Sequence, residues 1–308
     1  MNTQSVNDNR QQGGRQRDWD KVRAQSDKPI ITIITSTYNV AQDLHWTVNS
    51  IRSQTYANVQ WIVADGASND GTVELLKQHS DIIDYWFSEP DTGIYDAWNK
   101  ALKYIQGDWV QFIGAGDELF EIDTIEKVAV HLGNAYPTYE LVYGQVMHIS
   151  EKGRKELYVS GEPWESYVDE WEGNRPKLPV QTGIYHHRSY FVNQKRTFNS
   201  TYKIVADCHF LLEVLKLDRN MNFIPFVVTV MPTGGISGSI KGGLISYSET
   251  NHSMKNLNIK IPLKNYTTSF VKHNFIRAFL YISSEKKCAK FMDSVKSFRG
   301  KPKIFTIE

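Results

Sequence analysis

Hydrophobic positions along the chain change period from segment to segment. The run Ile31-Thr32-Ile33-Ile34-Thr35-Ser36-Thr37-Tyr38-Asn39 and the stretches 61–72 and 109–117 each begin β-branched or aromatic and stop abruptly at small or polar residues. A short, continuously apolar run bounded in this way reads as a strand buried on both faces of a parallel sheet. Between these runs the spacing turns helical. Leu44, Val48, Ile51 and Arg52 define one helix, and Val73, Leu75, Leu76 and Lys77 a second with Asp70 or Thr72 near its N-cap. Ile94, Trp98, Ala101, Leu102 and Ile105 define a third, closed by Gly107 at the C′ position. Residues 122–132 are expected to be helical and 140–149 extended. The alternation predicts an α/β domain over 29–149, with crossover helices joining parallel strands.

Beyond Ser150 the pattern loosens and aromatics accumulate: Trp164, Tyr167, Trp171, Tyr185 and Tyr190. One clear helix, 207–216, interrupts this region, which is expected to run to about 240. The last segment, 241–308, is basic, with a helix over 270–281. There Phe270, Val271, Phe275, Ile276, Phe279 and Leu280 form an apolar stripe flanked by Lys272, His273 and Arg277. Such a stripe can lie in a membrane interface, or pack on the preceding domain, which is the simpler reading. Residues 1–28 are polar without apolar pattern and are expected to be disordered.

The 308 residues, 41% hydrophobic and 22% charged, are ordinary for a globular protein with one large core or two modest ones. No apolar run approaches the roughly 18–20 residues of a membrane-spanning helix. Residues 1–29 lack the apolar centre of a signal peptide, so a cytoplasmic location is expected. Cys208 and Cys288 fit neither a disulfide framework nor a metal-ligand spacing. The net charge of +1 is unevenly spread. From Asn251 onward ten lysines, Arg277 and Arg299 face Glu285, Asp293 and Glu308, a net +9, which leaves −8 for the rest. That asymmetry points to an anionic surface, membrane or nucleic acid, against the alternative of a solvated basic helix.

Four stretches carry candidate chemistry. In open α/β sheets ligands bind outside the carboxyl ends of the strands. Asp65-Gly66-Ala67-Ser68-Asn69-Asp70-Gly71-Thr72 ends one strand with a carboxylate able to accept from a uracil ring N–H or a ribose hydroxyl. In Ser88-Glu89-Pro90-Asp91-Thr92-Gly93-Ile94-Tyr95-Asp96-Ala97-Trp98-Asn99-Lys100, Pro90 and Gly93 shape a loop, and the following helix aims its N-terminus at the same crevice. Tyr95 and Trp98 read as packing residues. Ala115-Gly116-Asp117 ends a third strand, and Ala206-Asp207-Cys208-His209-Phe210-Leu211-Leu212 opens the later helix. Asp65, Asp70 and Asp207 also have a structural reading, as turn or cap residues. Thr233-Gly234-Gly235-Ile236-Ser237 lacks the Gly-Lys-Ser/Thr ending of a P-loop, so ATP binding does not follow.

In order and spacing these stretches resemble the family 2 glycosyltransferases, and the second resembles a motif common in enzymes that build bacterial capsules and exopolysaccharides. The resemblance covers about 29–239. It implies a GT-A fold, a Rossmann-like mixed sheet flanked by helices, here extended by the helical basic C-terminus. It places Ser36, Thr37, Tyr38, Asp65, Asp91, Asn99 and Lys100 around the nucleotide, and Asp117 on a Mg²⁺ or Mn²⁺ ion. Asp207 is implied as the general base. The implied reaction is an inverting, hexosyltransferase-type transfer from a nucleotide-diphosphate sugar, UDP-linked, to a saccharide or lipid-linked saccharide acceptor. Partners would be these substrates and an anionic membrane surface at the inner face; no nucleic acid is expected. The chain departs from the family at Gly66, where many relatives carry a second Asp. It keeps only Asp117 of an Asp pair, and Cys208-His209 replaces Tyr-Asp. Two rivals remain: a sugar nucleotidyltransferase, although 35–41 lacks its Gly-rich basic loop, and a non-catalytic nucleotide-sugar-binding subunit.

Overall fold

The continuous apolar runs are strands and the helically spaced ones helices, in a computed structural model that describes residues 10–216 and 220–298. The elements begin with β1 (Gln11–Gly13), α1 (Trp19–Gln25), β2 (Ile31–Thr37), α2 (Leu44–Arg52), β3 (Val59–Asp65) and α3 (Thr72–Gln78). Next come β4 (Tyr85–Ser88), α4 (Ile94–Ala101), β5 (Trp109–Gly114), β6 (Glu118–Leu119), α5 (Thr124–Ala135) and β7 (Leu141–Ile149). β8 (Glu156–Ser160), β9 (Trp171–Glu172), β10 (Arg175–Pro176), β11 (Ile184–His187), α6 (Ser189–Val192) and α7 (Ala206–Leu215) follow. The last are β12 (Asn222–Pro232), α8 (Gly235–Gly238), α9 (Ile240–Asn256), α10 (Leu263–Ile282) and α11 (Glu285–Phe298).

The chain forms two compact units: residues up to Glu140 with Tyr185–Ser200, and Leu141–Ile184 with the residues from Thr201 onward. The segment 185–200, assigned from sequence to the second half, thus belongs with the first. The reason is pairing: β11 runs antiparallel to β5, with Tyr185 opposite Gln111 and His187 opposite Trp109.

In the first unit β4, β3, β2 and β5 are parallel neighbours in that order. Antiparallel β1 and β11 flank them, which makes the sheet mixed. Every residue of β3 is buried, as expected of a central parallel strand covered on both faces. α4 buries Tyr95, Ala97, Trp98 and Ala101. Its Trp98 packs 4.6 Å from Phe112 of β5 and 5.1 Å from Phe198. Gly107 is not the left-handed cap expected for this helix, which ends at Ala101 in a 3₁₀ turn over Leu102–Tyr104. Gly107 instead allows a close backbone approach, since a Cβ there would lie 2.5 Å from Thr32 N.

Expected disorder is corrected for 10–28; residues 1–9 lie outside the described residues. Arg10 donates to the Tyr85 and Tyr104 hydroxyls at 3.0 and 2.9 Å and lies over the Phe87 ring. Arg15 grips Asp84 through two bonds of 2.9 and 3.0 Å. This segment is ordered by charge-assisted bonds to distant residues, which leave no periodicity in the local sequence.

In the second unit β12 runs parallel to β7, and β8 pairs antiparallel with β7. The β7–β12 register shifts between Ile224 and Val227, where Pro225 has no N–H to give the ladder. Ile240, Ile276, Cys288 and Ala289 form a small core with Leu244, Phe279, Leu280 and Met292. The stripe expected to pack as one is therefore split: Ile276, Phe279 and Leu280 join this core, while Phe270, Val271 and Phe275 are exposed. Both cysteines are free thiols. Among the described residues no helix is long and apolar enough to cross a membrane.

Candidate functional site

The parallel strands of the first unit end in register. Thr37 of β2 is paired with Asp65 of β3, Asp65 with Ser88 of β4, and Ser36 with Gly114 of β5. Three stretches picked out from sequence therefore lie side by side along one carboxyl edge, where α/β sheets bind ligands.

Asp65 organises this edge. Its Oδ1 accepts from the Thr37 hydroxyl at 2.8 Å and the Ser68 hydroxyl at 2.6 Å. Its Oδ2 accepts from Ser68 N at 2.9 Å and the Ser88 hydroxyl at 2.6 Å. Four donors fill the roughly four acceptor positions of a carboxylate. A contact from Asp65 to a base or ribose therefore requires one of these hydroxyls to yield. Ser68 and Ser88, whose roles the sequence reading missed, were visible only as small residues inside the quoted motifs.

The loops after β2 and β3 are laced to each other. Asn39 N donates to Ser68 Oγ at 2.8 Å, Asn69 N to Asn39 Oδ1 at 3.0 Å, and Ala41 N to Asp70 Oδ2 at 3.0 Å. Asp70 Oδ1 also accepts from Thr72 N and Oγ1, at 3.0 and 2.6 Å. Hydrogen bonds from Thr72 and Ala41 hold the Asp70 carboxyl below its ordinary pKa. The N-cap of α3 is neither Asp70 nor Thr72 but Gly71, at φ 101°; Asp70 works from the residue before. Tyr38 projects from this bracket and is exposed.

Asp91 lies against Gly66: a Cβ there would be 2.7 Å from Asp91 Oδ2. Its Oδ1 accepts from Gly93 N at 2.9 Å, and burial raises its pKa. Asn99 is engaged at both ends by Phe198, donating to its carbonyl at 2.7 Å and accepting from its N–H at 2.8 Å. Lys100 donates to Pro90 O at 2.8 Å and lies 3.4 Å from Glu89 and 3.3 Å from Asp96. Lys100 braces the loop before α4, and Asn99 ties α4 to the backbone at Phe198.

Asp117 follows β5 through Gly116, whose φ of 97° turns the chain back. Its Oδ2 accepts from Gly114 N at 2.8 Å. The Thr47 hydroxyl of α2 donates to Asp117 O at 2.7 Å and accepts from Gly116 N at 2.9 Å. Thr47, placed on a helix face far away in sequence, gave no signal of this role.

Asp207 belongs to the second unit, in the first turn of α7, whose N-cap is Val205. Its Oδ1 accepts from Cys208 N at 2.8 Å. The chain entering α7 is held by Glu249 of α9, which accepts from Lys203 N, Ile204 N and Val205 N at 2.7, 3.0 and 3.3 Å. Glu249 thus fixes the chain before the helix, while Asp207 itself accepts from a first-turn N–H. Arg175 of β10 lies close enough to feel the charge of Asp207, and burial pushes the neighbouring Cys208 thiol up to about 12. The hairpin carrying Arg175 is pinned to α9 by Asn174, which donates to Tyr247 O and Asn251 Oδ1. Elsewhere in this unit a cavity of about 360 Å³, lined by Trp164, Tyr167, Trp171, Leu212 and Leu215 among others, includes none of the predicted site residues.

The family model described as Glycosyl transferase family 2 matches residues 32–212, from β2 into α7, and so contains Ser36, Thr37, Tyr38, Asp65, Asp91, Asn99, Lys100, Asp117 and Asp207. The chain belongs to glycosyl transferase family 2. A family 2 relative, a PGL/p-HBAD biosynthesis glycosyltransferase of Mycobacterium tuberculosis, is 28% identical over 219 residues, 69% of this chain and 80% of its own length. A putative teichuronic acid biosynthesis glycosyltransferase of Bacillus subtilis is 34% identical over 103 residues, 32% of this chain and 40% of its own. S. aureus TarS 1–349 in complex with UDP has a similar fold, with a TM-score of 0.56 at 15% identity over 87% of this chain and 72% of that one. The mannosyltransferase PcManGT from Pyrobaculum calidifontis, in complex with GDP-Man and Mn²⁺, gives 0.56 at 17% identity over 88% and 75%. The family 2 chain thus has the GT-A fold and a glycosyltransferase framework.

Proposed function

We propose that the chain moves a sugar from a UDP-linked donor to a saccharide or lipid-linked saccharide acceptor, with inversion, in bacterial surface polysaccharide assembly at the cytoplasmic face of the membrane. The observation that carries this reading is the shared register of Thr37, Asp65, Ser88 and Gly114 at one carboxyl edge, with Asp117 three residues beyond. Ser36, the exposed Tyr38 ring and Asp91 are the groups offered to the nucleotide. Asp65 and Lys100 hold the loops that present them, and Asn99 ties α4 to the backbone at Phe198. The relatives' names, which refer to PGL/p-HBAD and teichuronic acid biosynthesis, and fold neighbours bound to UDP and GDP-Man support the substrate class.

Among the described residues no three His, Cys, Asp or Glu side chains form a metal-holding group. Asp117 would supply the protein's carboxylate to a Mg²⁺ or Mn²⁺ ion, with donor phosphate oxygens and water completing its shell. Such an ion, when bound, offsets negative charge on the leaving diphosphate. The acceptor oxygen bonds to the anomeric carbon as the bond from that carbon to the diphosphate oxygen breaks. Asp207 takes the hydroxyl proton, and the nucleoside diphosphate leaves with the bonding electrons.

Asp207→Asn tests this reading against a panel of nucleotide sugars and acceptors. The variant is expected to melt as the wild type does and to lose about 10²–10⁴ in turnover, the worth of a general base. Near-wild-type transfer would remove Asp207 from the role. UDP binding with no turnover of any donor by the wild type would favour a non-catalytic subunit.

A further inference from the structure

α10 is apolar on two sides. With about 3.6 residues per turn, Ser269, Ile276 and Leu280 share one face, where Ile276 and Leu280 join the core with Ile240 and Cys288. On the same face His273 stacks on Tyr247 of α9 at 4.0 Å. The opposite side carries Leu263, Phe270, Val271, Tyr281 and Ile282, which are 77, 49, 66, 92 and 80% exposed. Only Thr267 and Asn274 interrupt that face with polar groups, and both bond back to carbonyls of their own helix. Exposed apolar clusters repeated along one helix face, at Leu263, at Phe270 with Val271 and at Tyr281 with Ile282, are the material of an interaction site.

Its surroundings are cationic. Lys264 and Arg277 lie along the margins of the face, and α11 adds Lys286, Lys287 and Lys290. None of these five makes an ion pair with a described residue; the nearby Glu285 is engaged by Lys241 at 3.3 Å. The chain from Asn251 onward carries net +9. Two copies of such a surface would repel each other, which argues against a second chain as the occupant. An anionic bilayer offers apolar depth and negative headgroups along the whole length of the helix.

We propose that the outward face of α10, with its basic margins, docks in the plane of an anionic lipid bilayer. The apolar side chains enter the headgroup–acyl boundary and the lysines and arginine meet the headgroups, the arrangement of interfacial helices. The docking requires neither donor nor turnover, so it stands or falls independently of the transferase reading.

The test is co-sedimentation of the full chain with phosphatidylcholine vesicles, with and without phosphatidylglycerol. Binding is expected only with phosphatidylglycerol, and is expected to weaken as salt screens the headgroups. Phe270→Ser with Val271→Ser should lower binding on the order of tenfold or more while the melting temperature stays unchanged. Lys264→Glu with Arg277→Glu, which leaves every packed residue in place, should lower it on the order of tenfold. Equal binding to both vesicles, or to neither, would overturn the proposal. So would a concentration-dependent dimer, abolished by the serine substitutions, in a chain that ignores vesicles.

Discussion

At the carboxyl edge of β2, β3 and β4 a buried carboxylate receives four hydrogen bonds from three neighbouring residues. On α10 large apolar side chains face outward, beside Lys264 and Arg277, which make no ion pair with a described residue. The first region satisfies its polar groups internally, so its geometry exists before any ligand arrives, as electrostatic preorganisation requires. The second leaves both its apolar area and its charge for something outside the chain. A polar cluster closed on itself thus belongs to the fold, and an apolar face left open belongs to an encounter.

Substitutions at the two regions should separate sharply. Asp65→Ala leaves the buried Thr37 and Ser88 hydroxyls and the half-buried Ser68 donors without their acceptor, and is expected to cost about 3 kcal/mol or more of stability, read by urea unfolding. A loss below about 1 kcal/mol would show that the cluster is not closed as described. Acid should weaken the sheet next. Burial lowers His186 on β11 to about 3 from an ordinary value of 6.5, so the folded state keeps the ring neutral while the unfolded chain protonates first. Stability is full above about pH 6.5 and falls as pH drops toward 3, by a few kcal/mol on the order-of-magnitude linkage scale. His186→Gln should flatten that slope in unfolding titrations, and an unchanged slope would assign it to other groups. Asp70→Ala, which removes an exposed bracket at the entry to α3, should cost about 0.5–1 kcal/mol. Smallest of all, Val271→Ser on the outward face of α10 should stay within about 0.5 kcal/mol. A larger loss would mean that this face is packed and would erase the contrast.

The sequence showed the first region more clearly than the second. β2, β3 and β5 were legible because strands covered on both faces are dominated by β-branched and aromatic residues, and the polar groups they do bury, such as Thr32 and Gln60, are hydrogen-bonded to each other across the sheet. The partners of Asp65 were less visible, since Thr37, Ser68 and Ser88 meet only through strand register. β1 and α1 escaped because distant residues order them: β1 pairs with β4, and Arg23 of α1 donates to Asp108 and Gln106 O. β12 escaped because Pro225 and Pro232 argue against a strand that a register shift then accommodates. For α10 the apolar period located the helix but not its buried side, because both sides are apolar. Asp117, Asp91 and Asp65 emerge at or beside one edge in the first unit, while the second unit holds Asp207 next to Arg175, a neighbour that no local pattern announces.

The account rests on a nucleoside diphosphate bound at the carboxyl edge, and thermal shift with UDP, GDP, CDP and ADP, with and without Mn²⁺, tests it most directly. A ligand bound only by the native state raises the melting temperature by mass action. The expected result is stabilisation by UDP, increased by Mn²⁺, with the Mn²⁺ increment lost in Asp117→Ala and the UDP effect reduced in Tyr38→Ala. No shift with any nucleotide, or a UDP shift indifferent to both substitutions, would contradict it.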